Sequence, residues 1–369
     1  MLGVFVGRQP IYNRNLDVIG YEVLFHQYEA DHAEFVEYDY VSSQVILNTF
    51  VEVGVERLVG NGLAFIHFDH QLLKTINTLS KSGYKIALDN VSDPQLIRPF
   101  LKNTDIVRLN VHGLESDVLQ TYVDVFHKRS VKTVAINIET LDMFDSCRDL
   151  GFDYFHGLFL SRPNVVSSSK LPASRLAILR LLAKLHDPEI EFSDLEEIIQ
   201  NDVALSYRIL RVINSVYYAK SKKIESIRQA LVLLGMKRVK EWVSMLALTK
   251  AADKPHDLVL NALERAKMCE LISFREFQKD TGFIVGLFSL IDALLDQPLE
   301  DIVASLPLSE EIETALLKHD GQLGEVLECV IAYQQGKWED ALSTGLNPDV
   351  VREAFLESLD WSVSVSSLL

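Results

Sequence analysis

The chain contains 369 residues, of which 48% are hydrophobic and 24% charged, a composition typical of globular proteins long enough for two domains. Its formal net charge of −16 argues against a general nucleic-acid-binding protein, because phosphate binding requires a positive surface. The cysteines Cys147, Cys269 and Cys329 are far apart and form no C-x-x-C pair. This spacing argues against a zinc knuckle or a disulfide framework and fits a reducing cytoplasm.

The first half of the chain alternates strand and helix patterns. Strands are predicted at 4–12, 18–25, 63–68, 84–91, 105–111, 131–138 and 152–160, and helices at 37–58, 71–81, 93–101, 115–128 and 141–150. This alternation predicts parallel strands and a barrel-like α/β domain. About six strands follow in βα order after the first hairpin, whereas a complete barrel of this type has eight. The barrel is therefore either incomplete or contains a strand that the pattern does not reveal.

Polar residues follow one of these strands directly. The run Lys85-Ile86-Ala87-Leu88 is largely apolar and ends in Asp89-Asn90. Because the carboxyl ends of barrel strands carry the functional residues, a site is expected at this end.

Five segments of this half resemble the EAL domain, in the order of that family. They are Glu22-Val23-Leu24, Ala87-Leu88-Asp89-Asn90, Arg108-Leu109-Asn110, Ala135-Ile136-Asn137-Ile138-Glu139-Thr140 and His156-Gly157-Leu158-Phe159-Leu160-Ser161-Arg162-Pro163. The resemblance covers roughly residues 1–165 and is strongest to the variant fused to an HDOD domain. It implies a modified (β/α)8 barrel that hydrolyses cyclic di-GMP with two metal ions.

Several positions depart from the pattern that this resemblance implies. His26 replaces the arginine that ends the first motif, and His67 replaces a metal-binding asparagine at the end of the next strand. An Asp-Asp pair has become Asp89-Asn90. The strand for a second metal-binding glutamate is missing from the pattern, because only about one helix separates His67 from position 83.

The later motifs depart in the same way. A Lys-Ile-Asp motif has become Arg108 and Asn110, so that a planar guanidinium replaces a compact ammonium. Ile136 replaces the first glutamate of a Glu-Gly-Val-Glu motif, whereas Glu139 retains the second. His156 replaces the glutamine before the next glycine.

Three carboxylates of the implied set remain, namely Glu22, Asp89 and Glu139. Two-metal hydrolysis of a phosphodiester requires more carboxylates than these, because both ions and the attacking water must be held. We therefore predict that this domain is not an enzyme and holds no metal or other cofactor. Weak binding of a single hard cation remains open.

A replacement metal site is the main alternative at these strand ends. His67 and Asp69 lie on one face of their strand, and Glu22 and Asp89 would complete the site. In the simpler interpretation His67 fills space in the barrel and Asp69 caps the following helix.

A linker at 163–172, with three serines between two prolines, sets a domain boundary near Ser168, giving domains at 1–168 and 169–369. Beyond it the pattern is entirely helical. Capping boxes are predicted at Ser193–Glu196 and Ser226–Gln229, a helix end at Gly235 and one buried helix at 283–295. The last of these is too short to cross a bilayer, and the N-terminus lacks a signal-peptide pattern. Two tryptophans, Trp338 and Trp361, are expected to pack terminal helices onto the core.

The helical half resembles the HDOD domain, a relative of the HD phosphohydrolases. The motif residues are Asn214-Ser215, and the implied catalytic His-Asp pair is replaced by Ser289 and Leu290. Three His-Asp dipeptides beginning at His186, His256 and His319 adjoin predicted element ends, where turns explain them better than metal binding does.

One group of basic residues lies close together in the sequence of this acidic chain. It consists of Lys220, Lys222, Lys223, Arg228, Lys237, Arg238 and Lys240. A solvated helix face explains it most simply, and a docking patch for an acidic partner is the functional alternative.

Together these features predict a degenerate EAL-type barrel followed by an all-helical HDOD domain. We predict a non-catalytic cytoplasmic regulator that contacts other signalling proteins, in a pathway related to cyclic di-GMP such as motility or biofilm formation. Neither a membrane nor a nucleic-acid partner is expected, and the oligomeric state is left open. A receptor that binds cyclic di-GMP without cleaving it is the first alternative, although the changes at His26 and His156 argue against it. A residual phosphodiesterase is the second.

Overall fold

The computed structural model describes residues 2–29, 53–67, 85–89, 104–162, 173–187, 189–201, 206–207, 209–210, 226–251, 254–273 and 279–366. The chain divides into two compact units. The first contains 1–164 and 334–338, and the second contains 165–333 and 339–369. The first unit is α/β and the second is helical, which confirms the predicted fold class. The predicted boundary near Ser168 lies outside the described residues.

A seven-stranded sheet forms the α/β unit. Its strands are β1 (Leu2–Tyr12), β2 (Val18–Glu29), β3 (Leu63–Ile66), β4 (Ala87–Leu88), β5 (Ile106–Asn110), β6 (Lys132–Ile136) and β7 (Tyr154–His156). Their order across the sheet is β3-β2-β1-β7-β6-β5-β4. Strand β1 runs antiparallel to β2 and β7, and the other pairs are parallel.

The described sheet is a half-barrel. Strands β3 and β4 lie at its two ends, and no pairing joins them among the described residues. Residues 68–84, which separate β3 from β4 in sequence, lie outside the described part of the chain. The predicted strand at 152–160 is too long: β7 ends at His156, and a 3-10 turn follows at Phe159–Ser161. The turn allows the chain to leave the sheet directly after the site residue His156.

Alternation along the strands gives the sheet an apolar outer face and a mixed inner face. On the outer face, Val107 and Leu109 belong to a large core. This core also contains residues of helices α2 (Ser116–His127) and α3 (Leu141–Asp149), whereas α1 (Val55–Val59) precedes β3. The inner face carries a smaller apolar cluster of Ile11, Phe65, Ile106, Val134 and Ile136.

Polar residues continue the inner face beyond this cluster. His67 lies two residues after Phe65, and Arg108 lies two residues after Ile106. Since residues i and i+2 of a strand share a face, the apolar cluster forms a floor below these side chains. This layering places the polar groups at the carboxyl ends of the parallel strands.

The second unit is built of helices throughout its described residues. They are α4 (Ala173–Leu185), α5 (Phe192–Gln200), α6 (Ile227–Ala251), α7 (His256–Ile272), α8 (Lys279–Phe288), α9 (Ile291–Leu295), α10 (Leu299–Ala304), α11 (Glu310–Lys318), α12 (Gly321–Gln334), α13 (Trp338–Ser343), whose first residue belongs to the α/β unit, and α14 (Pro348–Ser366). No described helix combines the length and apolar character needed to cross a membrane.

Local signals at the helix ends were only partly predicted. The first predicted capping box is wrong by two residues, because Glu191 and Asp194 form it and α5 begins at Phe192. At the second, the Gln229 N–H donates to Ser226 Oγ at 3.2 Å. Gly235 adopts φ 81°, which interrupts the helical backbone within α6. The predicted single helix at 283–295 is wrong, because α8 and α9 are separated by a turn.

Candidate functional site at the strand ends

Arg108 and Glu22 form a buried pair at the centre of the inner face. Arg108 Nη1 donates to Glu22 Oε1 at 2.9 Å, and Nη2 donates to Oε2 at 2.8 Å. Each residue is only 5% exposed. This two-point geometry matches the planar guanidinium to the carboxylate and is the strongest form of such a pair. Both oxygens of Glu22 are therefore occupied by a side chain of the protein.

His67 and Asp89 extend this pair into a cluster. His67 Nε2 contacts Glu22 Oε1 and lies 2.7 Å from Arg108 Nη1, while His67 Nδ1 lies 3.3 Å from Asp89 Oδ2. Arg108 Nη1 lies 3.5 Å from the same Asp89 oxygen. The two ends of the described sheet, β3-β2 and β5-β4, thus contribute two acidic and two basic side chains. We call Glu22, His67, Asp89 and Arg108 the ionic cluster.

His156 lies beside the ionic cluster in a buried position. Its Nε2 is 3.1 Å from Glu22 Oε2, but the atoms are not aligned for a hydrogen bond. Both ring nitrogens of His156, together with Arg108 Nε, are buried without a hydrogen-bond partner among the described residues. Burial lowers the pKa of His156, against the opposing effect of the Glu22 charge. Burial thus disfavours the charged form of this ring.

The electrostatics of the cluster favour the charged form of Glu22. Burial alone would raise the pKa of Glu22, but the His67 hydrogen bond and the nearby His156 and Arg108 side chains hold that pKa well below its usual value. The hydrogen bond to Glu22 in turn raises the pKa of His67, although burial opposes the shift. With His67 protonated, two positive charges balance the Glu22 and Asp89 carboxylates.

We expect the stabilising contribution of His67 to depend on pH. Its folded pKa is raised above the ordinary value of 6.5, so the contribution is complete below pH 6.5 and is lost as the pH rises through the raised pKa. Thermal unfolding midpoints of the wild type and His67→Gln should differ most in mild acid and converge in alkali. The exposed His112, 3.4 Å from Glu139, provides the control substitution His112→Gln. A pH-independent difference for His67→Gln would contradict the charge assignment.

Other predicted site positions do not join the ionic cluster. Glu139 is tied instead to Arg162, whose Nη1 donates to it at 2.9 Å, and to His112. Asn110 Oδ1 accepts the His112 N–H at 3.0 Å, which uses the amide in a local turn. Ile136 belongs to the apolar floor.

Two further positions complete the predicted set. His26, on β2, stacks against Trp338 with ring centroids 6.2 Å apart. Asn90 lies outside the described residues, as does Asp69 of the alternative metal site.

The cluster does not fit a divalent metal ion. Within the described part of the chain, no group of three or more His, Cys, Asp or Glu side chains is arranged to hold one. Glu22, His67 and Asp89 do meet, but they surround the Arg108 guanidinium. Sequence reasoning missed this pair because two strands distant in sequence contribute it. An arginine alternating with apolar residues in Ile106–Asn110 was the available signal, since a buried arginine requires an anionic partner.

The predicted motif positions of the helical unit have structural contacts. Ser289 Oγ donates to the Gly286 carbonyl at 2.8 Å and accepts from Arg265 Nη1 at 3.1 Å, while Leu290 is buried. Asn214 and Ser215 lie outside the described residues. The His186, His256 and His319 dipeptides stand at helix ends, as predicted.

His186 is buried and packs within the helical unit. Its Nε2 lies 2.8 Å from Ser244 Oγ, and its ring stacks on Phe283. Burial, followed by the Lys240 charge, lowers the pKa of His186 to about 3. The ring is therefore neutral at physiological pH.

The predicted docking patch needs one correction. Lys240 is 5% exposed and its Nζ donates to Asp280 at 2.8 Å, so it does not belong to an exposed patch. Lys237 contacts Glu270, whereas Arg228 and Arg238 are exposed. Positions 220, 222 and 223 lie outside the described residues, and docking stays a prediction.

A second buried ionic network, which sequence reasoning missed, lies in the helical unit. Lys267 Nζ donates to Glu241 and to Glu270 at 3.0 Å each. Trp361 Nε1 donates to the other Glu241 oxygen at 3.0 Å, and Ser362 Oγ donates to Glu264 at 2.8 Å. These contacts fix α14 against α6 and α7, which confirms the packing role predicted for Trp361.

Comparisons with known proteins agree with this organisation. Residues 171–295 match the family model of the HDOD domain, which confirms that predicted resemblance. The chain is 29% identical to the protein YuxH of Bacillus subtilis (strain 168), covering 97% of this chain and 98% of that protein. It is 27% identical to the cyclic di-GMP phosphodiesterase CdgJ of Vibrio cholerae, covering 100% of this chain and 94% of CdgJ.

A solved structure is also similar in part. The Bacillus subtilis YkuI protein, which has an EAL domain and was solved with cyclic di-GMP and calcium, matches with a TM-score of 0.33 and 17% identity. The match covers 63% of this chain and 73% of that one.

Proposed function

We propose that this chain is a non-catalytic signal-transduction regulator that acts in the cytoplasm through contacts with other signalling proteins. Its pathway would be one that uses cyclic di-GMP, as in motility or biofilm formation. The observation that carries the proposal is the two-point pair between Arg108 and Glu22. A guanidinium of the chain itself takes up the carboxylate that a metal-dependent phosphodiesterase would present to an ion.

The repulsion between Arg108 and a metal ion supports this proposal. A divalent cation about 4 Å from the guanidinium would be repelled by about 8 kcal/mol at an effective dielectric constant of about 20. Hard cations such as Mg²⁺ and Ca²⁺ also require several free oxygen ligands. Both Glu22 oxygens already accept hydrogen bonds from Arg108, and Glu139 is engaged with Arg162.

The helical unit supports the same proposal. Ser289 and Leu290 replace the implied His-Asp pair, and Ser289 is bonded to Arg265 and Gly286. Of the three cysteines, Cys147 lies in the α/β unit and the other two in the helical unit. All three are free and buried, and burial raises the pKa of Cys147 and Cys329 to about 11 and of Cys269 to about 12. Such thiols are poor nucleophiles.

The relatives support the signalling pathway rather than the absence of catalysis. The name of CdgJ places that protein in cyclic di-GMP turnover, and the chain matches it along its full length. That name also favours the second candidate function, a phosphodiesterase. A receptor that binds cyclic di-GMP without cleaving it is the third, and it would require a nucleotide site that tolerates the ionic cluster.

Calorimetric titration of the full chain tests the proposal. We expect no saturable heat when Mn²⁺ is added to the wild type, and none when cyclic di-GMP follows. Saturable heat from Mn²⁺ would contradict the occupation of Glu22 by Arg108. Saturable heat from cyclic di-GMP alone would replace the proposal with the receptor. Arg108→Ala is the informative comparison, because it removes both Arg108 hydrogen bonds from Glu22 without changing another residue.

A further inference from the structure

We propose that residues Gln334–Trp338 form a strap that covers the inner face of the β1–β2 hairpin and closes this side of the α/β unit to ligands approaching the ionic cluster. The segment belongs to this unit although it lies far along the chain. Gln9 Nε2 donates to the Gln335 carbonyl at 2.9 Å across a separation of 326 residues. The inference goes beyond the proposed function and does not depend on it.

The register of the β1–β2 hairpin identifies the face on which the strap lies. Gln9 pairs with Glu22, Gly7 with Leu24, and Phe5 with His26. Directly opposed residues of an antiparallel pair project to the same face, and so do residues two apart on one strand. All six positions therefore lie on the inner face, in line with Glu22 of the ionic cluster.

The strap runs along the hairpin past these three residue pairs in order. Gln335 is held at the level of Gln9. Gly336 lies so close to Leu24 that an added Cβ would be 2.8 Å from Leu24 Cδ1. Trp338 completes the contact beside Phe5 and His26. The strap thus covers the inner face of the hairpin from the level of Glu22 outward.

Trp338 is held at the outer level by two rings. Its indole stacks on Phe5, with centroids 5.5 Å apart and planes inclined by 21°, and on His26 at 6.2 Å and 15°. The sequence predicted that Trp338 packs a terminal helix onto the core; its indole, at the first position of α13, lies against the buried Phe5. The recess for the indole exists because Gly7 has no side chain: a Cβ there would be 2.7 Å from Trp338 Cη2.

Glycines on both partners make this contact specific. Gly7 admits the indole, and Gly336 adopts φ 71°, a conformation that residues with a side chain rarely take. A ligand approaching the ionic cluster along the β1–β2 side would have to displace the strap. Access to the strand ends therefore depends on the position of residues 334–338.

Chemical modification of His26 tests the strap. Carbethoxylation of histidines in the full chain, read residue by residue by mass spectrometry, should be slow at His26 in the wild type and several-fold faster in Trp338→Ala. His112, whose side chain is 49% exposed, should react equally in both proteins. An unchanged rate at His26 would overturn the proposal.

A second variant separates strap release from a general loss of folding. Gly7→Ala leaves the strap sequence intact but displaces the indole, so it should increase His26 reactivity as Trp338→Ala does. In the Trp338→Ala background, Gly7→Ala should not raise the reactivity of His26 further, because the indole that the added methyl group would clash with is absent. Independent, additive effects of the two substitutions would overturn the proposal. Neither readout involves metal or nucleotide, so its failure is distinct from failure of the proposed function.

Discussion

Replacing Arg108 with methionine is expected to lower the free energy of unfolding of the α/β unit by about 3–5 kcal/mol, the usual cost of breaking a buried ion pair. The substitution removes two hydrogen bonds and leaves the Glu22 carboxylate buried with only His67 as a neighbouring cation. Because the chain has two units, the local free energy should be measured by native-state hydrogen exchange of the β2 and β5 amides.

An exposed ion pair in the same sheet provides the matched control. Lys85 Nζ lies 2.9 Å from Asp105, but its side chain is 70% exposed, so Lys85→Met should cost no more than about 1 kcal/mol. The double variant Arg108→Met with Glu22→Leu should recover most of the stability, because an apolar pair of similar volume is often as stable as the ionic one. Equal costs for Arg108→Met and Lys85→Met would contradict the assigned role of the pair.

Replacing Lys267 with methionine is expected to destabilise the helical unit by about 3–5 kcal/mol, for the same physical reason. Lys267 is the shared donor to Glu241 and Glu270, whose side chains are 8% and 3% exposed. Without the ammonium, two buried carboxylates face each other with only the Trp361 N–H and Lys237 to compensate. Hydrogen exchange of the α6 and α7 amides measures the loss.

Lys254→Met is the control for the helical unit. Lys254 pairs with Asp296 at 2.7 Å, where the carboxylate is 37% exposed, so we expect a loss of about 1 kcal/mol or less. The Lys267 variant should also free α14, whose amides would exchange faster around Trp361. A Lys267 variant as stable as the Lys254 variant would show that the network is not a structural anchor.

The sequence predicted the architecture well because periodicity reports which faces are buried. Strands β5 and β6 and helices α2 and α3 fall within two residues of their predicted limits. Each carries a simple apolar pattern and local end signals, such as Thr140, which accepts the Met143 N–H at 3.2 Å. The capping box at Glu191 was missed because a glutamate is a less favoured cap than the serine two residues later.

The candidate site was only partly predictable, for reasons of long-range geometry. The alternative metal site grouped Glu22, His67 and Asp89, since parallel strands present their carboxyl ends together, whereas Arg108 entered only as a changed position of the resemblance. Position alone did not indicate that Arg108 would bind both oxygens of Glu22, because that depends on side-chain reach across the sheet. Glu139 was expected with the other carboxylates but turns to Arg162 instead.

Contacts across long sequence separations were not predictable from pattern. Trp338 meets Phe5 and Gly7 across more than three hundred residues, and no periodicity links them. Gly7 within β1 was a local sign, because a glycine inside a strand often marks a close approach of other atoms. Similar reasoning applies to Lys267, whose charge within a buried helix signalled a partner but not which one.

The most direct test of the central claim is a turnover measurement. Purified full-length chain should be incubated with cyclic di-GMP and Mg²⁺ or Mn²⁺, and the nucleotides separated by chromatography. If Arg108 occupies the place of the catalytic ions, the linear dinucleotide should form no faster with wild type than with Glu22→Gln or Asp89→Asn. Linear dinucleotide produced by the wild type and abolished by Asp89→Asn would contradict this account and establish the chain as a phosphodiesterase.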